Sequence, residues 1–206
     1  MLQRICLSVA SVAIGFLLGS LPISVWSVRW KKHADVRRFG DGNPGAISAW
    51  KAGGWPIGLG VLMLDVAKGG LPVALSRFVF DLEGWALVPI ALSPVLGHAF
   101  SPWLRFRGGK GIAASFGVWT ALTYWVVPTT LGLSMAAIMA IQIVPAWTVM
   151  IASALTLLVL VVVRAEGYLV AAFALNLALL AATHRVELRS MPRLRLSLNS
   201  GKREED

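Results

Sequence analysis

Between residues 112 and 163 the chain runs for about 52 residues without a single formal charge. A stretch this apolar needs lipid as its solvent, and in lipid only helices or closed barrels satisfy their own backbone groups. A helical crossing takes about 20 residues. The run is too long for two crossings and short for three. Pro128 and Pro145 divide it into pieces of about 17 residues, and proline sits best at the start of a helix. The rest of the chain agrees. It is 57% hydrophobic and 14% charged, with a mean hydropathy of +0.72, whereas soluble domains carry about 25% charge.

Three more apolar runs precede this one and another follows it. Residues 5–28 form the first. At about 24 residues, with most of its charge behind it, this run reads as a retained span and not a cleaved leader. Residues 55–80 form the second, 85–100 the third and 168–183 the last. With the central run split at 112–127, 129–144 and 146–163, the expectation is an all-α integral membrane protein of about seven spans in one membrane domain, followed by a basic tail at 184–206.

Charge bias sets the orientation. Seven spans put the polar segment 29–54, the loop 101–111 and the tail on one side, with 15 of the 19 Lys and Arg residues. Cytoplasmic loops carry that excess, so the N-terminus is expected outside and the C-terminus in the cytoplasm. Splitting the central run into two spans would put the basic tail outside. The net charge of +9 therefore points to anionic lipid and phosphate groups, not to nucleic acid. A single cysteine, Cys6, excludes an internal disulfide, and no Cys/His group has metal-ligand spacing.

Polar chemistry is concentrated in few places. Residues 97–111 hold His98, Arg105, Arg107 and Lys110 among four glycines. Glycine lets backbone N–H groups approach an anion, and lysine adds a movable charge. This is either a phosphate site at the membrane edge or a basic loop that only sets topology. Gly40-Asp41-Gly42-Asn43-Pro44-Gly45 is dense turn chemistry. Within residues 55–80, Asp65 and Lys68 lie three apart on one helix face and can pair. That pair either locks helices together or marks a polar path. Gly69, Gly70 and Pro72 then predict a bend or break. On seven spans, the 40–48 turn, the 97–111 segment and His184-Arg185 share the cytoplasmic face.

These residues resemble the PlsY family of acyl-phosphate:glycerol-3-phosphate acyltransferases. The resemblance rests on Gly97-His98-x-Phe100 through Phe106-Arg107-Gly108-Gly109-Lys110-Gly111, on Asp65-x-x-Lys68-Gly69, on Gly40-x-Gly42-Asn43-Pro44-Gly45-Ala46 and on His184-Arg185. Order and spacing agree across nearly the whole chain. Asp41 stands where the family has Ser and Glu187 where it has Asn, and both departures add negative charge; Lys51 stands where the family has Arg.

The resemblance implies transfer of a fatty acyl group from acyl phosphate to glycerol 3-phosphate, giving lysophosphatidate and phosphate, in the bacterial plasma membrane. It implies no metal and no cofactor. The partners are the two substrates and membrane lipid, with oligomeric state left open. Such a reaction needs alignment of two anions and stabilisation of an oxyanion. On this reading Lys110, with the amides of Gly108 and Gly109 and with Gly111, holds a phosphate. Gly42, Asn43 and Gly45 form a second wall beside Lys51. His184 and Arg185 approach the acceptor, and His98 positions it or shuttles a proton. No dedicated general base stands out. A substrate phosphate oxygen can take the hydroxyl proton, and Asp41 is a second candidate.

Other templates fail on spacing. A His-x4-Asp motif needs Asp where His98 has Trp103 and His33 has Arg38, and Leu104 and Gly111 break a Walker A pattern. Three alternatives remain: a relative with a different acceptor, an inactive relative, and a transporter using Asp65 and Lys68.

Overall fold

A computed structural model describes residues 1–195. The end of the expected tail, with Lys202, Arg203 and the closing acidic residues, lies outside the described residues. The described chain is helical: α1 (Leu2–Ser20), α2 (Ile23–Lys32), α3 (Ala46–Gly53), α4 (Trp55–Phe78), α5 (Leu87–Ala99), α6 (Ile112–Thr123), α7 (Val126–Ile141), α8 (Pro145–Val162) and α9 (Gly167–Thr183). Among the described residues, the one strand-like pairing is an isolated bridge between Gln142 and Leu194. Four stretches are long and apolar enough to cross a membrane: Leu2–Lys32, Trp55–Phe78, Gly84–Leu104 and Pro145–Val162. α6, α7 and α9 are apolar but shorter.

Several boundaries differ from the sequence expectation. The run 5–28 is two helices, because α1 ends at Ser20 and α2 begins after Pro22. The polar segment 29–54 is not all loop, since α3 occupies its end. α4, expected to bend or break near Gly69 and Pro72, is assigned as one helix of 24 residues. α6 stops at Thr123, where Tyr124 turns out with φ +54°. α7 then takes Pro128 into its first turn, where a missing N–H costs nothing.

Close packing divides the chain into two compact units, Met1–Tyr124 and a second beginning at Trp125. In the first, α4 lies along α6 and α1 along α5. Membrane helices gain little hydrophobic drive from each other, so small residues that bring backbones together decide which helices pair. Gly69 and Gly70 of α4 face Ala114 and Gly117 of α6, and a Cβ at Gly117 would be driven into the Val66 carbonyl. Gly15 and Gly19 of α1 similarly meet Ser93 and Pro94 of α5. Gly117→Leu is expected to push α4 from α6 and lower stability by about 2–3 kcal/mol, read as a fall in unfolding midpoint in detergent. At the end that carries the turn chemistry, α2 and α3 are held by a small core of Val28, Val36, Ala49 and Val61.

In the second unit α8 packs against both α7 and α9. α9 buries Tyr168, Ala172, Asn176 and Leu180, four apart on one face. The Gln142 side chain donates to Thr148 Oγ1 at 3.1 Å and accepts the Val144 N–H, organising the entry to α8.

Candidate active site

The site begins at the break between α1 and α2. Pro22 has no N–H to donate, and the helix stops at Ser20. The Leu21 carbonyl accepts the Lys68 ammonium at 2.8 Å. Lys68 in turn lies 2.8 Å from Asp65 Oδ1, and both side chains are buried. The spacing that predicted an Asp65–Lys68 pair is thus realised, closed on a backbone carbonyl 47 residues away in sequence. His98 Nδ1 stands 3.9 Å from the same Asp65 oxygen. Ser20, Ser24, Asp65, Lys68, His98 and Ser101 line a polar pocket with room for little more than a water molecule. Ser101 Oγ donates to the Ser20 carbonyl at 2.6 Å, and Trp103 Nε1 to Ser20 Oγ at 3.1 Å. The serines were not singled out in the sequence; Pro22 was the available signal.

The 97–111 segment folds back on the end of α5. Gly108 N–H donates to the Ala99 carbonyl at 2.9 Å and Gly109 N–H to the His98 carbonyl at 3.0 Å. In this structure the two amides that the sequence suggested as phosphate donors are engaged by backbone carbonyls at the end of α5. The glycines are needed for closeness. A Cβ at Gly108 would run into the His98 and Ala99 carbonyls, and one at Gly109 into the His98 ring. His98 is 8% exposed. It lies beneath the loop, with its ring against Gly109 and its carbonyl bonded to the Gly109 N–H. Gly111, with φ +87°, caps α6 and leaves Lys110 just ahead of the helix.

The second glycine turn meets this loop. Gly40 and Gly42 have φ of +70° and +78°, which L side chains rarely adopt. Between them, Asp41 Oδ1 accepts the Asn43 N–H at 3.2 Å, and Gly45 caps α3. Ser24 Oγ ties the turn to α2 through the Pro44 carbonyl at 2.8 Å. Lys110 Nζ lies 2.5 Å from Asp41 Oδ2. Exposed Lys51 reaches the same turn. A Cβ added to Gly40 would stand 3.9 Å from its Nζ, and one at Gly45 would stand 3.1 Å from Asn43 Nδ2. Two lysines and an asparagine amide thus gather at the glycine turn that leads into α3, an arrangement that favours anions.

The electrostatics bear on Asp41. Burial alone would raise its carboxyl, but the Lys110 hydrogen bond and the Asn43 N–H hold it below the ordinary value of 3.8. A carboxyl with a lowered pKa stabilises its pair above the usual carboxylate range and loses it as pH falls through the lowered value. The pair is therefore intact at neutral pH, and Asp41 in it is a weak proton acceptor.

His184 and Arg185 belong to the second unit. His184 ends α9 and is buried, with Nδ1 2.8 Å from the Leu180 carbonyl, while Arg185 is exposed. Glu187 opens a short turn, Glu187–Arg189. The structure brings together Asp41, Asn43, Lys51 and Lys110 in the first unit, with His98 beneath.

Comparison with known proteins identifies this architecture. The family described as glycerol-3-phosphate acyltransferase matches residues 9–193. The chain belongs to that family. Glycerol-3-phosphate acyltransferase 1 of Thermotoga maritima is 43% identical over 122 residues, covering 58% of this chain and 60% of the relative. Glycerol-3-phosphate acyltransferase of Thermus thermophilus is 43% identical over 131 residues, 62% of this chain and 64% of the relative. The match thus spans less than two thirds of either relative's length. The enzyme of Parasynechococcus marenigrum is 36% identical over 169 residues, 82% of this chain and 79% of the relative. The crystal structure of PlsY, an integral membrane glycerol 3-phosphate acyltransferase, in its glycerol 3-phosphate form superposes with a TM-score of 0.81 at 27% identity. It covers 88% of this chain and 90% of PlsY. Like that member of the family, this chain is a multi-pass helical membrane protein.

Proposed function

We propose that this protein transfers a fatty acyl group from acyl phosphate to the 1-hydroxyl of glycerol 3-phosphate, releasing lysophosphatidate and inorganic phosphate. The observation that carries this reading is the meeting of Lys110 with the Gly40–Gly45 turn, 69 residues away in sequence. It builds an anion site from two glycine loops at one end of a helical membrane unit. Family membership supports the same activity.

Acyl phosphate is already activated, because phosphate leaves readily. The acceptor oxygen attacks the acyl carbon, a C–O ester bond forms, and the bond from acyl carbon to phosphate oxygen breaks. The hydroxyl proton passes to a phosphate oxygen, so no side-chain base is required. Lys110 and Lys51 hold substrate phosphate, with the Asn43 amide and the first amides of α3 as further donors. The backbone bonds of Gly108 and Gly109 hold Lys110 in place, and His98 supports them from below. Gly42, Gly45 and Gly111 supply the backbone turns, and His184 with Arg185 serves the acceptor from the end of α9.

Seven crossings by α1 and α4 to α9, in one membrane domain, put the N-terminus outside and residue 184 on the cytoplasmic side. The excess of Lys and Arg on that side supports this orientation, and the exposed Trp26, Trp30, Trp50, Trp55 and Trp103 support a membrane interface there. They lie among the cations flanking the glycine turns, as interfacial anchors do. The bacterial sources of the relatives support the plasma membrane as its location.

The test is phosphate release by the purified chain in lipid, given palmitoyl phosphate, with and without glycerol 3-phosphate. Release that depends on the acceptor is expected. Release at the same rate without acceptor would contradict the reading.

A further inference from the structure

We propose that Asp41 is an internal anion that a substrate phosphate must displace from Lys110, so that residue 41 sets how tightly this chain holds its phosphate substrate. The proposal rests on the reading of Lys110 as a phosphate-binding residue.

The geometry is that of a carboxylate standing in for a phosphate. One Asp41 oxygen takes the Lys110 ammonium at 2.5 Å, and the other takes the Asn43 N–H at 3.2 Å. A lysine and a backbone amide near a helix start are what an anionic ligand would use there. The turn aims the carboxylate at Lys110 from a fixed backbone, because Gly40 and Gly42 on either side adopt positive φ. Lys110 is only 19% exposed by its side chain, whereas Asp41 is 51% exposed. The anion is thus the partner with room to swing away, and the cation is the one held in place.

Charge balance gives the direction of the effect. Asp41 lowers by one the positive charge that Lys110 and Lys51 bring to this turn. A phosphate and the Asp41 carboxylate cannot both sit against Lys110, because like charges a few ångströms apart repel strongly outside bulk water. Binding is therefore an exchange of one anion for another. Removing the Asp41 charge takes this competing anion away from Lys110. The Asp41 end of the pair is half exposed, so its contribution is modest and sensitive to salt.

Asp41→Asn separates the charge from the turn, since the amide oxygen can still accept the Asn43 N–H. Asp41→Ser removes the charge with a smaller side chain. The measurement is equilibrium binding of inorganic phosphate to the full chain in lipid nanodiscs, followed by phosphorus NMR at low and high salt. No turnover is needed. Both variants are expected to bind phosphate about two- to fivefold more tightly than the parent at low salt, in line with the strength of exposed ion pairs. Their salt dependence should be steeper, so that the gain shrinks at high salt. Unchanged or weaker binding overturns the proposal, and so does a gain that salt leaves untouched. If the parent binds phosphate and the variants bind it equally well, the phosphate site stands and only the role of Asp41 falls. If no form binds phosphate, both fall together.

Discussion

Lys110→Ala is expected to lower the rate of acyl transfer by about a hundred- to a thousandfold. Losses of that size follow removal of one preorganised donor to developing charge in a water-poor site. Lys110 sits just ahead of α6, its side chain is largely shielded, and its ammonium meets the glycine turn. The substitution also leaves the Asp41 carboxylate without this cation, so an incoming phosphate meets a bare like charge. Asp41→Asn in the Lys110→Ala background is therefore expected to recover part of the loss. Steady-state kinetics on the four forms of this cycle check both statements. Near-normal catalytic efficiency in Lys110→Ala would remove this residue from the site.

Lys68→Ala is expected to destabilise the fold by about 3–5 kcal/mol, the usual cost of leaving one member of a buried ion pair behind. Two groups lose their cation at once. The Asp65 carboxylate stays buried, and the Leu21 carbonyl at the break after α1 keeps only the Ile23 N–H. The effect appears as a large drop in the unfolding midpoint in detergent. Replacing both charges with apolar groups, Asp65→Leu with Lys68→Met, is expected to cost clearly less. A single Lys68→Ala change that leaves the midpoint within a degree of the parent would show that the pair carries no structural weight.

The sequence made the apolar runs, the Asp65–Lys68 pair and the two glycine turns legible, because each is a local pattern. The spacing of Asp65 and Lys68 needs only helix geometry, and Pro145 begins α8 for local reasons. The miss in the first run is instructive. Pro22 ends α1, whereas Pro72 and Pro94 sit inside α4 and α5. Their local signals are alike. What the sequence does not show around Pro22 is Lys68, 47 residues away, which donates to the Leu21 carbonyl beside the Ile23 N–H. α3 was hidden for a related reason: eight residues are too few for periodicity to show, and Ala49 finds its apolar partners in Val28, Val36 and Val61.

The glycines of the basic loop stand out in the sequence, and in the structure they allow close approach of backbone to backbone. Gly108 and Gly109 stood out as phosphate donors because glycine beside lysine commonly makes such sites. Their N–H groups instead clamp the loop to His98 and Ala99. The choice between donating to a ligand and donating to backbone depends on what lies within 3 Å, which composition does not encode. Asp41 was equally visible as an added negative charge, but its partner was not, because the Asp41–Lys110 contact joins two loops separated by α3, α4 and α5.

The most direct test of the central claim is product analysis. Purified protein in a lipid bilayer is given palmitoyl phosphate and glycerol 3-phosphate, and mass spectrometry follows the lipid formed. Palmitoyl lysophosphatidate, one molecule for each phosphate released, is the expected result. Phosphate release with no lysophosphatidate would contradict acyl transfer to glycerol 3-phosphate.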